Sequence, residues 1–484
     1  MNTDNIEDIY ELSPIQKGIL FHSLYAPELG LYFFQMPFIL RGQLNLDAFV
    51  LAWQQLAARH TVLRTSFYWE DINKPLQVVN RHVNVPLEQQ DWRELNPTEQ
   101  EKQLKSFLER DRALGFDLAQ APLMRLTLLR LSDDSYQFVW SRHFLIIDGW
   151  SVPLLLAEVI QLYEAVCQSQ NCQSRDASLL PSIPYRNYID WLQQQDLAQA
   201  EAFWRQTLKG LKVPTPLTHL DIDLEVDSLS NQAERYEEQQ IYLPEAIAAA
   251  LHSLSRQHKL TLSTLFQGVW AILLSRYSCE NEVVYGCTVA GRPIELVREE
   301  PIVGLFVNSL PVWVKVEPEQ SFLAWLKQLQ AHLVEMRQYE WTPLVEIQGW
   351  SEVPRNLPLF ESILVYENAP IDATLESWKG SIEISNSTIF SNSSTFYKTN
   401  YPLTIAVYPD SGFRIAINYD FRRFDIATIN NILKDFEILL QEIVEHSHTH
   451  LQDLLLLTVR DHQFVSKLEK AASFDFEFCF GFAN

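Results

Sequence analysis

The residues of this chain most able to do chemistry lie together in Trp140-Ser-Arg-His143-Phe144-Leu-Ile-Ile-Asp148-Gly149-Trp150-Ser151. The segment reads as a strand that delivers a histidine, an Asp-Gly turn, and a helix start. An imidazole titrating near neutrality can take a proton from an amine or hydroxyl nucleophile, and a neighbouring carboxylate can fix the geometry of the site. On its own, a histidine beside such a turn serves structure more often than catalysis. The reading therefore depends on what the rest of the chain supplies.

The elements that must position these residues are legible from periodicity. Leu46, Phe49, Val50, Trp53 and Leu56 follow the spacing of one helical face, with Asn45 as its N-cap. Strands are predicted over Tyr32–Leu40, Leu63–Trp69, Pro122–Leu131 and Tyr136–His143, each rich in β-branched or aromatic residues. A helix follows from about Val152 to Val166, and the polar stretch 167–182, closed by Pro181 and Pro184, marks a lobe boundary. The second half repeats the mixture. Helices are predicted near Ala198–Leu208, Pro244–Gln257, Leu262–Tyr277 and Ile426–Val444, and strands near Val283–Val289, Phe306–Val316, Ser362–Glu367, Leu403–Val407 and Phe413–Tyr419. Both halves are α+β. The expected division is an N-terminal lobe over 1–178, a C-terminal lobe over 179–450 and a tail over 451–484, whose Phe-rich end, SFDFEFCFGFAN, reads either as an edge strand or as a docking segment.

Composition narrows the function. With 38 Lys+Arg against 61 Asp+Glu in 484 residues, the net charge of −23 argues against a phosphate-binding surface, and nucleic acid is not an expected partner. The acidic start MNTDNIEDIYEL has no basic n-region or apolar stretch of a signal peptide, and the apolar windows stop short of a bilayer span. A soluble, cytoplasmic chain is expected. Five cysteines without C-x-x-C spacing read as buried thiols in a reducing compartment. Neither G-x-x-x-x-G-K-[ST] nor G-x-G-x-x-G occurs, which disfavours nucleotide-driven chemistry.

Seven ordered segments carry a resemblance. They are Leu12-Ser-Pro-Ile-Gln16-Lys-Gly-Ile-Leu-Phe-His22, Arg59-His60-Thr-Val-Leu-Arg64-Thr-Ser-Phe67, His143 to Ser151, Tyr185-Arg-Asn-Tyr-Ile-Asp190-Trp191, Val303-Gly304-Leu-Phe-Val-Asn308-Ser309-Leu-Pro, Pro354-Arg355-Asn356-Leu-Pro358-Leu, and Thr399-Asn400-Tyr-Pro-Leu-Thr404. Together they resemble the motifs of nonribosomal peptide synthetase condensation domains over roughly residues 8 to 450. The resemblance implies two chloramphenicol-acetyltransferase-like lobes in a V around a central tunnel. It also implies donor and acceptor peptidyl carrier proteins as partners. Phosphopantetheine would be borne by those carriers, with no cofactor bound by the chain itself. In such a domain the acceptor amine attacks the donor thioester to form an amide, and holding both tethered groups together supplies rate through proximity.

One position departs from the pattern. Counted back from Asp148-Gly149, the family's HHxxxDG core places its first His on His143 and its second, catalytic His on Phe144. Successive strand side chains point to opposite faces, so His143 replaces the missing base only if a bulge re-aims it. Phenylalanine accepts no proton and makes no hydrogen bond to a tetrahedral intermediate. Three accounts stay open: a degenerate domain kept as a carrier-binding or gatekeeping platform, a substitution introduced to silence the site, and a domain that condenses mainly by proximity. Heterocyclising relatives carry an acid where this chain has His143, so ring formation is disfavoured.

Other residues carry weaker signals. Arg292 in Ala290-Gly291-Arg292-Pro293 resembles the family's Gly-Arg-Pro segment and is a candidate partner for Asp148, the alternative being an exposed loop arginine. Ser151, Asn308, Gln16 and Arg64 are expected as structural or tunnel-lining residues, with Arg59 and His60 beside them. His446, His448 and His450 end a predicted helix, where they suit the dipole better than a metal; no metal is expected. The chain shows neither a carrier attachment motif nor an adenylation-type phosphate loop, and is expected as a monomer, either free-standing or excised from a larger synthetase.

Overall fold

The computed structural model describes residues 3–27, 30–168, 181–217, 220, 236–297, 301–369, 371–376, 380, 382–386, 399, 401–409, 412–447 and 449–457. Most of the 167–182 break, Asn400, His448, Cys172 and the Phe-rich end of the tail lie outside them.

The first stretch of chain runs β1 (Ile6–Glu11), α1 (Pro14–Tyr25), β2 (Phe33–Arg41), α2 (Leu46–Arg59), β3 (Thr65–Tyr68), β4 (Leu76–Asn80), β5 (Leu87–Asp91), α3 (Pro97–Leu114), β6 (Met124–Arg130), β7 (Ser135–His143), α4 (Ser151–Gln168) and α5 (Arg186–Gln193). Then follow α6 (Leu197–Thr207), β8 (Tyr236–Tyr242), α7 (Glu245–His258), α8 (Leu262–Ser278), β9 (Glu282–Val289), α9 (Ile294–Val297), β10 (Asn308–Lys315), α10 (Phe322–Met336), α11 (Leu344–Trp350) and β11 (Ser362–Tyr366). The chain closes with α12 (Ile371–Glu376), β12 (Glu383–Asn386), β13 (Leu403–Pro409), β14 (Phe413–Asp420), α13 (Ile426–Glu445) and α14 (Leu451–Leu457). The fold class is α+β, as expected. Of the cysteines, Cys287 is buried, whereas Cys167 and Cys279 stand exposed at the ends of α4 and α8, against the expectation of burial.

Two compact units emerge, each built from separated stretches. Unit 1 comprises Met1–Asp196 with Ala290–Asn308 and Ala369–Asn400; unit 2 comprises Leu197–Val289, Ser309–Asn368 and Tyr401–Asn484. The sequence-based division at 178/179 is simpler than this: residues 181–196 and two later segments join unit 1. In that unit a five-stranded sheet of order β12-β2-β7-β6-β5 is antiparallel except at β5/β6. Strand alternation gives β7 two buried faces. Phe138 and Trp140 pack against Phe49 and Trp53 of α2, while Val139 joins Leu104, Phe107 and Leu108 of α3. Asn45 caps α2 by accepting from the Ala48 N–H at 3.1 Å. A separate antiparallel sheet, β1-β4-β3, lies in the same unit.

Unit 2 holds a six-stranded sheet of order β10-β9-β11-β13-β14-β8, parallel across β9/β11/β13 and antiparallel across β13/β14/β8. One face packs on helices: Trp270 of α8 stacks on Phe436 of α13 at 6.0 Å, and α8 is buried almost all round.

Candidate functional site

The site grows from the end of β7. His143 is paired with Phe33 of β2, and its N–H donates to the Leu123 carbonyl at 3.0 Å, while the Phe144 N–H donates across the sheet to Tyr32 at 2.8 Å. Those two opposed bonds carry the extended backbone one residue past the strand and turn the two side chains apart. The His143 ring is buried. Its Nδ1 accepts from the Leu145 N–H at 3.2 Å, and its Nε2 lies 3.4 Å from Ser23 Oγ, which itself donates to the Ile19 carbonyl at 2.8 Å. Because Nδ1 accepts, the network places the proton on Nε2. Burial pushes the pKa of His143 down to about 3, so the ring is neutral at pH 7 and both nitrogens are engaged inside the protein.

Phe144 sits half-buried in an aromatic set, its ring 5.0 Å from Phe34 and 6.3 Å from Tyr32, with His22 beyond Tyr32 at 6.4 Å. Tyr32 holds a positive φ of 63°, a conformation that costs a bulky residue energy and recurs at functional sites. Among the described residues, nothing capable of accepting a proton stands in the Phe144 ring position.

Behind the strand, a polar frame fixes the turn. Gln16, at N3 of α1, closes a capping box with Ser13, and its Nε2 donates to the Leu145 carbonyl at 3.0 Å; Gln77 of β4 donates to Gln16 Oε1 at 3.0 Å. Asp148 is fully buried. Its Oδ1 accepts from the Ser151 N–H at 2.9 Å and from Arg292 Nη2 at 2.7 Å, and its Oδ2 accepts from the Phe306 N–H at 3.1 Å. Arg292 Nη1 donates to the Ile302 carbonyl at 2.7 Å, and its guanidinium lies over the Phe306 ring at 4.3 Å. Ser151 Oγ accepts from the Gly304 N–H at 3.0 Å and from Arg292 at 2.9 Å, and Gly149 closes the first turn of α4 by accepting from Val152. Arg292 is therefore no exposed loop arginine. It clamps the Asp-Gly turn to the 302–306 segment, all within unit 1.

Two glycines make the clamp possible. Gly291 adopts φ +61°, and a Cβ there would lie 2.0 Å from the Phe306 oxygen; a Cβ on Gly304 would lie 2.2 Å from the Tyr185 ring.

The remaining candidates fall elsewhere. Arg64 is buried and ties the end of α2 to the β1-β4-β3 sheet through the Ala57 carbonyl at 3.1 Å, Glu7 at 2.6 Å and the Asn80 carbonyl. Asn308 is buried at the first residue of β10. His446 pairs with Glu442 at 2.8 Å along α13, and with Glu445 these form an exposed group at a helix end. His60 accompanies Arg59 on Glu158, at 2.7 and 2.8 Å, away from the turn. Sequence reasoning missed Ser23, Gln77, Tyr32 and Phe34; only Ser23 left a trace, one residue after His22 on the helical face of Ile19.

The fold thus builds one site around a buried, arginine-clamped Asp-Gly turn at the end of a central strand, in one of two α+β units. The chain belongs to the condensation-domain family, whose family model, described as Condensation domain, matches residues 6–465. It is 40% identical over 459 residues to one of the linear gramicidin synthase proteins of Brevibacillus parabrevis, covering 95% of this chain and 6% of that protein. It is 34% identical over 455 residues to a mycosubtilin synthase protein of Bacillus subtilis, covering 94% of this chain and 17% of that one. The chain thus spans a small part of the length of these curated relatives. Among solved structures, a four-domain nonribosomal peptide synthetase bound to AMP and glycine superposes with a TM-score of 0.75 at 18% identity, over 93% of this chain and 34% of that one. The X-domain of teicoplanin biosynthesis, in complex with OxyB, superposes with a TM-score of 0.73 at 21% identity, over 94% of this chain and 97% of that one. No helix among the described residues is long and apolar enough to cross a membrane.

Proposed function

We propose that this chain is a nonribosomal peptide synthetase condensation domain that joins a donor acyl or peptidyl thioester to an acceptor aminoacyl thioester, with the chemical step slowed by Phe144. In that reaction the acceptor nitrogen bonds to the thioester carbonyl carbon, the C–S bond breaks, and the thiol of the donor's phosphopantetheine leaves. The amine gives up one proton, which the departing sulfur can take. Peptidyl carrier proteins supply both thioesters and bear the phosphopantetheine; the chain acts as a monomer in the cytoplasm.

The single observation that carries this reading is the Asp148–Arg292–Ser151 clamp beneath an intact turn in a chain of this family. Asp148, Arg292 and Ser151 hold the turn together, and Phe144 stands at the position that the family's HHxxxDG core gives to its second His. His143 does not fill the gap, since its nitrogens are held by Leu145 and Ser23 and its burial disfavours the protonated form. The activated thioester leaves proximity as the remaining source of rate.

The missing base favours a second reading, in which the domain binds carriers as a platform or gate without condensing. The two separate in one experiment. The protein is mixed with a loaded donor carrier and a loaded acceptor carrier, and amide product on the acceptor is measured by mass spectrometry. Product above the rate of the carriers alone supports condensation; carrier binding without product supports the platform. Neither product nor binding overturns both.

A further inference from the structure

Away from the Asp-Gly turn, unit 1 brings a hydroxyl, an imidazole and a carboxylate into one line. His60 caps the C-terminus of α2, and its buried ring bridges two later stretches of chain. Its Nε2 lies 2.7 Å from Glu158 Oε2 on α4, and its Nδ1 lies 2.9 Å from Ser182 Oγ. Arg59 Nε donates to the same Oε2 at 2.8 Å. Burial alone would raise the pKa of Glu158, but the His60 hydrogen bond and the charges of His60 and Arg59 outweigh it and hold the carboxyl below its usual range. An ionised carboxylate only accepts, so the proton between the two groups sits on His60 Nε2. In the neutral ring Nδ1 then keeps its lone pair, and the Ser182 hydroxyl must donate to it. A nucleophile, its base and the group that orients the base stand in that relation.

The backbone around Ser182 suits the part. Ser182 and Ile183 are both half-buried and lie between the exposed Pro181 and Pro184, so a small group reaches the hydroxyl from solvent. Ile183 packs on the apolar core of the unit, and its place before a proline confines it to extended conformations. Its N–H, next after the hydroxyl, makes no hydrogen bond among the described residues. From that position a backbone N–H meets the oxyanion that forms when a serine is acylated. We propose that Ser182 is the nucleophile of a second, acyl-accepting site, with His60 as its base and Glu158 as the positioning residue that holds the tautomer. One backbone donor and a small opening fit a short acyl thioester, whose carbonyl is already activated and whose thiolate leaves readily. Ser182 Oγ bonds to the carbonyl carbon while its proton passes to His60 Nδ1; the C–S bond breaks, and the departing sulfur takes that proton and leaves as a thiol. Water then attacks the acyl-serine and gives one proton to His60, the C–Oγ bond breaks, and Oγ recovers the proton as the free acid leaves. Neither step involves Phe144 or the condensation reaction.

The test incubates the full chain with the S-acetyl thioester of N-acetylcysteamine, follows thiol release by absorbance, and maps acetylated peptides by mass spectrometry after an acid quench. Ser182→Ala should release thiol only at the rate of exchange onto the exposed Cys167 and Cys279, which all variants share. The wild type is expected to release it at least tenfold faster than Ser182→Ala and to carry acetyl on Ser182, and His60→Gln to lose at least tenfold of that rate. Glu158→Gln should lower kcat with KM unchanged, a split that a carboxylate serving only stability would not produce. Equal thiol release by the wild type and Ser182→Ala overturns the proposal, and leaves the 2.9 Å contact as a tether between residue 182 and the end of α2. Should Ser182→Ala fail to fold, the quenched wild type decides alone: acetyl on Ser182 supports the site, and acetyl confined to other residues overturns it.

Discussion

Arg292 and Asp148, 144 positions apart in the chain, meet in a 2.7 Å ion pair whose carboxylate is wholly buried and whose guanidinium side chain is 14% exposed. Breaking such a pair leaves a desolvated charge, at about 3–5 kcal/mol. Asp148→Ala should therefore lower the unfolding free energy by that amount, read as the urea midpoint at constant m-value. A double variant, Asp148→Ala with Arg292→Leu, should recover part of the loss, because the orphaned guanidinium goes with its partner. An unchanged midpoint in Asp148→Ala would remove the clamp from the account of the site.

The second prediction concerns the missing base. Phe144 follows His143 on the opposite side of an extended backbone, so a histidine placed there points where Phe144 now points. Phe144→His should condense at least tenfold faster than the parent in the two-carrier assay, since a positioned base contributes typically 10²–10⁴-fold. Equal rates would place the proton elsewhere or leave proximity as the whole of catalysis.

Much of this frame was legible in the residues, and some of the exceptions share a cause. The helix Leu46–Arg59, the strand ending at His143 and α8 all bury an apolar face, and their periodicity shows it. Strand β5 (LEQQD) and strand β8 (YEEQQIY) lie at sheet edges, where one side needs no apolar partner, and their polar sequences concealed them. Helix α3 buries only Leu104, Phe107, Leu108 and Asp111 in an otherwise charged sequence, and it too went unseen. At the site, Asp148 and Arg292 were legible through motif resemblance, whereas the contact of Ser23 with His143 arises from tertiary packing across 120 positions and has no local signature.

The third prediction addresses the glycine that lets Arg292 reach its partner. Gly291→Ala imposes a side chain on a φ of +61° and drives its Cβ to 2.0 Å from the Phe306 oxygen. The left-handed conformation alone costs roughly 1–2 kcal/mol for a residue with a Cβ, and the backbone contact adds to it by displacing the 302–306 segment from Asp148. The Tm should fall, and Gly291→Ala combined with Asp148→Ala should lose less than the sum of the two single variants, because both act on one clamp.

The last prediction is a pH dependence. Burial lowers the pKa of His143 from 6.5 to about 3 in the folded protein, so the unfolded chain binds a proton that the folded chain refuses throughout that interval. The sign follows. The contribution of neutral His143 is fully present above pH 6.5, declines as the pH falls below that value, and levels off near pH 3. His143→Gln keeps a neutral group able to accept from the Leu145 N–H and donate to Ser23, but it takes up no proton on unfolding. Urea midpoints measured at about pH 7, 6, 5 and 4 should fall more steeply in the wild type than in His143→Gln, with the gap between the two narrowing as the acid wild type loses its advantage. Parallel curves would show that His143 stays protonated or solvated in the folded state, and the tautomer assigned from its bond to Leu145 would then be wrong.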